Sequence, residues 1–254
     1  MNYLVFALHG NQPRYTTGMI HNVGSMPRVY GPGWNALIYH DTTVPGQVIA
    51  QLRATGLVVL RRVDSSTRPH WTAYPGRFWR LLALEDPLVR SQPGALVCHR
   101  DADSRISSRE VQATMDFYMS GKLIHIMKDH PNHSSRVWLS GMWDWRVSPN
   151  RKRLAWIVDE ADRYNEEQLS LRRKPPWSDD YFLGRRIYHK LKRTALEHDT
   201  FAGTPFPGLT GPGPFVGEVI LVDEENKELP SLPEREQRDR ELTKLYRNGK
   251  LIKR

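Results

Sequence analysis

The stretch GALVCHRDADSRISSREVQATMDFYMSG, residues 94–121, changes character twice. It opens with a short apolar run behind a glycine, which reads as a buried strand ending near Cys98. A charged run follows, HRDADSRISSRE, with Asp101 and Asp103 one residue apart and Arg100 and Arg105 on either side. Ser107 then stands three residues before Glu110, a capping box that opens a helix. Val111, Met115, Tyr118 and Met119 share one face of that helix and are expected to be its core stripe. The aspartates therefore lie in a loop between a strand's carboxyl end and a helix. In alternating α/β sheets this edge collects ligands, because the loops there are free of the sheet's packing constraints.

The same rhythm extends outward. YLVFALHG from Tyr3, WNALIYHD from Trp34 and LVVLRRV from Leu57 read as strands. Between the last two, VPGQVIAQLRATG places Val44, Val48, Ile49 and Leu52 on one helical face, with Gly56 as its stop. YPGRFWRLLALEDP offers Phe78, Leu81 and Leu82 at helical spacing between two prolines. Downstream, KLIHIMKD and RVWLSGMWDWR read as strands, and RKRLAWIVDEADRY and SDDYFLGRRIYHKLKRTAL as helices. The second helix takes Tyr181, Phe182, Ile187, Tyr188 and Leu191 as its apolar face. GTPFPGLTGPGPF, residues 203–215, reads as a structured loop or a lid, and FVGEVILVD as a final strand. There is no internal repeat. The pattern predicts one α/β domain over residues 1–222, with a charged extension over 223–254 that can form an exposed helix and serve homo-oligomerisation.

With 254 residues, 39% of them apolar, and eight tryptophans, the chain can bury one sizeable core. That composition excludes a wholly disordered protein. No apolar run reaches 18 residues, so no transmembrane segment is expected. The N-terminus lacks the basic region and cleavage site of a secretory signal, so a cytoplasmic location is expected. The lone Cys98 excludes an internal disulfide and fits a reducing compartment. The formal charge of +9 attracts polyanions such as nucleic acid, phosphorylated small molecules or an acidic membrane surface. The extension holds nine basic and eight acidic residues, so the excess belongs to the part before it. RKR at 151–153 and RRK at 172–174 are short and separated, which fits a solvated surface and argues against a specific nucleic-acid partner.

Asp-x-Asp on a loop presents hard oxygen ligands that can reach one Mg²⁺ or Mn²⁺, and such a cation would carry a diphosphate. The alternative is a turn cap. Arg100 and Arg105 can grip phosphate or sugar oxygens through forked hydrogen bonds, or simply pair with the neighbouring aspartates. KDHPNH gathers Asp129, His130 and His133, but no cysteine is near and the spacing crosses a proline turn, which disfavours zinc.

RDADSRISSRE, HIMKDHPNH, SGMWDWR, DDYFL, HD and FVGEV, in that order, resemble a group of glycosyltransferase-like proteins of the nucleotide-sugar-using GT-A class. YTTGMIHNVG and YHDTTVP fit the opening of that pattern, and the resemblance spans roughly residues 3–222. Three positions depart from it: Lys128 for arginine, Ser140 for the first glycine, and Asp180 for glutamine. The resemblance implies a GT-A-like, Rossmann-related mixed sheet flanked by helices. It also implies metal-dependent transfer of a hexosyl or pentosyl group from a nucleotide-diphosphate sugar to a glycan, glycoprotein or other hydroxyl acceptor. Asp101, Asp103 and a late histidine, His198, would hold Mn²⁺ or Mg²⁺, with Arg100 and Arg105 on the donor. As a lone residue after a helix His198 would more often be a surface histidine, and only its order after the other motifs makes it a ligand candidate. Asp129 and His130 would line the sugar pocket, Gly141 would let the backbone come close, and Trp143 would be either a sugar platform or core. The order of motifs is similar to that of retaining glycogenin-like enzymes, where Asp179 and Asp180 would border the sugar; Asp179 or Asp129 is the candidate catalytic carboxylate. Two rival readings remain. One is a sugar-nucleotide nucleotidylyltransferase, which needs a glycine-rich signature near the first strand that ALHGNQPRYTTG supplies only as isolated glycines. The other is a non-catalytic glycan- or nucleic-acid-binding protein on the same fold.

Overall fold

The computed structural model describes residues 1–200 apart from 65, 67, 69, 130–132, 134–135, 149–153 and 172–177. Beyond 200 it describes 202, 204–207, 215–217, 219–220, 246–247 and 250–251. The elements run β1 (Asn2–Leu8), α1 (Pro13–Tyr30), β2 (Trp34–His40), α2 (Gly46–Ala54), β3 (Val58–Arg62), a 3₁₀ segment (Gly76–Leu84) and α3 (Pro87–Arg90). They continue with β4 (Leu96–Arg100), α4 (Ser108–Ser120), β5 (Ile124–Lys128), β6 (Met142–Arg146), α5 (Trp156–Ser170), α6 (Asp179–Phe182), α7 (Tyr188–Leu191) and β7 (Ala195–Asp199). The seven strands form one sheet in the order β3-β2-β1-β4-β6-β5-β7. All neighbours are parallel except β6, which runs antiparallel to both β4 and β5.

Strand side chains alternate between faces, and here both faces are covered, so the strands read as nearly continuous apolar runs. Leu4, Phe6 and Leu8 of β1, with Leu96 and Cys98 of β4, face Met19, Val23 and Met26 of α1 and Phe117 of α4. Tyr3, Val5 and Val97 face the other way, onto Phe78 and Leu81 of the 3₁₀ segment, Ile157 and Ala161 of α5, and Phe182 and Ile187. Each fully buried aromatic or aliphatic side chain contributes roughly 1.5–3 kcal/mol, so two continuous layers hold the sheet rigid beneath its loops.

Several expectations are revised. The helix α1 was not foreseen, because Gly18, Gly24 and Pro27 weaken the local signal; tertiary packing of Met19, Val23 and Met26 outweighs it. The capping box at Ser107 is half realised: its hydroxyl accepts from the Glu110 N–H, but the Glu110 carboxylate turns inward to Arg100. That recruitment rotates α4, which buries Glu110, Ala113, Thr114 and Phe117 and leaves Met115, Tyr118 and Met119 exposed. The stretch from Gly76 coils as a 3₁₀ helix, and the long helix after Ser178 is broken by a π turn at Leu183–Ile187. β7, expected as the end of that helix and a loop, pairs in parallel with β5. Of the expected final strand, Phe215–Gly217 form no strand, Val219 bridges Ser104 antiparallel and the Ile220 N–H donates to the Asp103 carbonyl; residues 218 and 221–223, and most of the extension expected to be helical, lie outside the described residues. Within that extension Tyr246–Arg247 and Lys250–Leu251 pair as antiparallel strands β8 and β9.

Candidate active site

The carboxyl end of β4 is where the sheet's alternation separates function from scaffold. Leu96, Cys98 and Arg100 point to the α1/α4 side, and the chain then leaves the sheet at Asp101. Asp101, Ala102 and Asp103 line a cavity of about 450 Å³ together with His9, Arg14, Tyr15, Arg77, Arg80, His133, Ser140, Gly141, Asp179 and Asp180.

Arg80 organises this cavity. Its guanidinium is buried and donates to Asp101 Oδ1 at 2.7 Å, Asp179 Oδ2 at 3.3 Å, Ser140 Oγ at 3.2 Å and the Arg100 carbonyl at 3.2 Å. Burial alone would lower its pKa, but Asp101 and Asp179 outweigh that and raise it, so Arg80 is a permanent cation. A 3₁₀ helix has three residues per turn, so Arg77 and Arg80 sit one above the other on the cavity side. Asp101 also packs against Gly141, where any Cβ would collide with the carboxylate. Gly141 is therefore the residue that lets Asp101 keep its place, while Asp103 is met by Arg14 Nη2 at 3.2 Å. Ser178 caps the turn that carries Asp179 and Asp180, and Asp180 Oδ1 accepts from the Ser140 N–H at 2.8 Å.

Titration in the cavity is uneven. Burial, helped by Asp101, raises the pKa of Asp103, and burial with the Asp179 charge raises that of Asp180. His9 is pushed down by burial, and Arg77 and Arg80 add to the shift.

The cavity thus gathers Asp101, Asp103, Gly141, Asp179 and Asp180 from the sequence reading, and five other candidates fall elsewhere. Arg100 is a correction: β4 alternation turns it away from the cavity onto Glu110 (3.0 Å), Asp144 (2.7 Å) and Tyr30 Oη (3.2 Å), all buried. Trp143 is core, fully buried and stacked on His99 at 4.1 Å, because its place on β6 faces α5's layer. Asp129 is buried outside the cavity, where it accepts from Arg109, Thr200 Oγ1 (2.5 Å) and the Val216 N–H (2.9 Å), so it ties β5 to the later loop. His198 lies on β7 with its Nδ1 2.7 Å from His125 Nε2, and the His125 Nδ1 meets Asp144 at 2.7 Å. Burial, with His125 next to it, pushes the His198 pKa down to about 4. Two strands, β6 and β5, stand between β7 and β4, so His198 belongs to a buried polar chain under the sheet. Arg105 reaches the Ala102 and Ser104 carbonyls rather than the cavity, and His130 lies outside the described residues.

Arg14, Arg77, Arg80 and His9 were missed. The signal available was the three-residue spacing of Arg77 and Arg80, which has meaning only once the segment is known to be 3₁₀.

The donor chemistry of this pocket fits a hard cation in part. Two carboxylates face one space, and Gly141 keeps room for one of them; Mg²⁺ commonly takes only one or two protein carboxylates and completes its shell with phosphate and water. Among the described residues no group of three or more His, Cys, Asp or Glu side chains could hold a metal.

No known family model matches the chain, and no curated protein sequence matches it significantly. Solved structures do. The galactosyltransferase LgtC, determined with donor and acceptor sugar analogs, superposes with a TM-score of 0.51 at 12% identity, over 79% of this chain and 74% of that one. An active-site mutant of LgtC gives 0.50 at 10% identity over the same shares. Mouse xyloside xylosyltransferase 1, in its apo form, gives 0.44 at 14% identity over 79% and 86%. At these identities the likeness is one of fold, and the fold is that of the GT-A-type glycosyltransferases. Among the described residues no helix is long and apolar enough to cross a membrane.

Proposed function

We propose that the chain is a glycosyltransferase that moves a hexosyl or pentosyl group from a nucleoside-diphosphate sugar to a hydroxyl of a glycan, glycoprotein or other acceptor, with retention at the anomeric carbon. The observation that carries this reading is the convergence of Asp101, Asp103, Asp179 and Asp180 on one cavity at the strand-end edge of the sheet, cross-linked by Arg80. A volume of about 450 Å³ suits a small-molecule ligand, and LgtC, which shares the fold, is a galactosyltransferase determined with donor and acceptor sugar analogs.

In this reading Asp101 and Asp103 would hold Mn²⁺ or Mg²⁺, which when bound neutralises charge on the leaving diphosphate as a Lewis acid. Arg14 beside Asp103 and Arg77, 4.0 Å from Asp179, add positive charge to the cavity. Arg80 positions two carboxylates at once, holding Asp101 for the diphosphate end and Asp179 for the sugar end. Such prior fixing avoids reorganisation during reaction. Asp180 stands beside Asp179 in the cavity, its pKa raised by burial and the Asp179 charge. Inversion needs a carboxylate free to take the acceptor's proton. Asp129 is locked outside the cavity and Asp179 is tied to Arg80, which supports retention. The folded unit ends at residue 222, and the extension serves homo-oligomerisation or acceptor docking rather than donor binding.

A panel of nucleotide sugars screened by thermal stabilisation, with and without Mn²⁺, tests the reading, since a ligand of the native state raises its melting temperature by mass action. Stabilisation by one donor with Mn²⁺ is expected in the wild type, lost in Asp101→Ala and Asp103→Ala, and kept in Asp179→Asn, which loses transfer. NMR of the first-formed product should show the donor's anomeric configuration. No stabilisation by any nucleotide sugar would end the donor-site assignment, and binding without turnover would favour a non-catalytic binding protein.

A further inference from the structure

The two guanidiniums that meet the Asp-x-Asp carboxylates are held very differently. Arg80 has a side chain 6% exposed and is fixed by five protein oxygens, three from side chains and two backbone carbonyls. Arg14, on the first turn of α1, is 39% exposed, lines the cavity, lies over the Tyr15 ring at 4.5 Å, and is held by two side-chain oxygens, Asp103 Oδ2 at 3.2 Å and the neighbouring Tyr15 Oη. Among the described residues its Nε has no hydrogen-bond partner. Asp103, by contrast, is itself only 10% exposed, so Arg14 is the cation that covers it. An ion pair open to water on one side is worth roughly 0–1 kcal/mol, so this contact opens easily while the Arg80 contact does not.

A divalent cation on Asp101 and Asp103 competes with Arg14 for the same carboxylate. Two cations on one carboxylate repel, and only Arg14 has room to leave. We propose that Arg14 is an exchangeable counter-ion: it holds Asp103 while no cation is present, is released when one binds, and then supplies its freed N–H groups to the donor diphosphate. This inference rests on the donor-site reading above. It makes Arg14 a binding residue whose two roles have opposite signs, which a purely structural surface arginine does not have.

The test uses the full chain, with Arg14→Gln and Arg14→Lys. Mn²⁺ alone is titrated by electron paramagnetic resonance, and UDP, GDP and ADP are then titrated calorimetrically at saturating Mn²⁺. Arg14→Gln should bind Mn²⁺ roughly threefold or more tightly than wild type, because its competitor is gone. The same variant should bind the best of the three diphosphates about tenfold more weakly, having lost a charge-assisted contact. Arg14→Lys should fall between on both readings. Unchanged or weaker Mn²⁺ affinity in Arg14→Gln, or unchanged diphosphate affinity, overturns the exchange while leaving the donor site standing. A wild type that binds neither Mn²⁺ nor any of the diphosphates overturns the donor-site reading and the exchange together. Melting curves of the variants without ligand establish that they fold.

Discussion

Replacing Arg80 with methionine tests whether one side chain joins the cavity's two acidic segments. Methionine keeps much of the aliphatic volume and removes the charge. The Asp179 side chain is 5% exposed and that of Asp101 45%, so most of the penalty comes from the Asp179 side, where a buried carboxylate would keep only the more distant Arg77 guanidinium, at 4.0 Å. Removing one partner of a buried pair costs about 3–5 kcal/mol. Because Asp101 can turn to water, the lower end applies, about 3 kcal/mol, or a melting temperature lower by roughly 6–12 °C for a chain of this length. Asp179→Asn alone leaves Arg80 paired with Asp101 and should cost only about 1 kcal/mol. The double variant should therefore be more stable than the two single losses predict, with a coupling of about 1–2 kcal/mol. Urea unfolding followed by tryptophan fluorescence measures all four proteins. An Arg80→Met protein within about 0.5 kcal/mol of wild type, or strict additivity with Asp179→Asn, would refute the role assigned to this arginine.

Gly141→Ala should displace Asp101, because its Cβ meets that carboxylate; calorimetry should show Mn²⁺ binding lost while circular dichroism shows the fold retained. Asp180→Asn keeps an acceptor for the Ser140 N–H and removes a carboxylate whose pKa is raised by burial and Asp179. A raised folded pKa favours the protonated state, so the wild type loses stability as pH rises through that pKa. The variant should be the more stable at pH 7, and the difference should vanish below roughly pH 3.9, as thermal melts across pH will tell. His198 has the opposite sign: its pKa is pushed down to about 4 by burial with His125 beside it. Its contribution is present above the usual histidine value of about 6.5 and is lost as pH falls from there through about 4. His198→Gln should flatten the acid slope of the melting temperature across that window.

The α/β class, most strands and the strand-end place of Asp101 and Asp103 were legible in the sequence. Strand runs such as LVFAL and ALVC are local, buried on both faces, and need no partner to be recognised. Glu110 and Thr114 show where local reading fails: their burial depends on Arg100 and Asp144, from β4 and β6, which no helical pattern contains. Arg100 fails similarly, and the choice between core and cavity for Trp143 stayed open, since the sheet face each occupies follows from pairing register rather than residue type. β7, and with it the burial of His198, appears only when a strand is supplied for it to pair with.

The sequence by itself determined which residues carry acid just after β4 and at the start of the helix after Ser178, and that a sheet would present the first pair on a loop. Only the tertiary structure decided that Asp101 and Asp179, 78 positions apart, share Arg80 as a common partner. It likewise decided that His198 stands apart from them. The physical reason is that a cavity is made of distances between elements, and those are fixed by which apolar faces pack together, whereas periodicity and spacing report only the direction each residue takes from its own strand or helix.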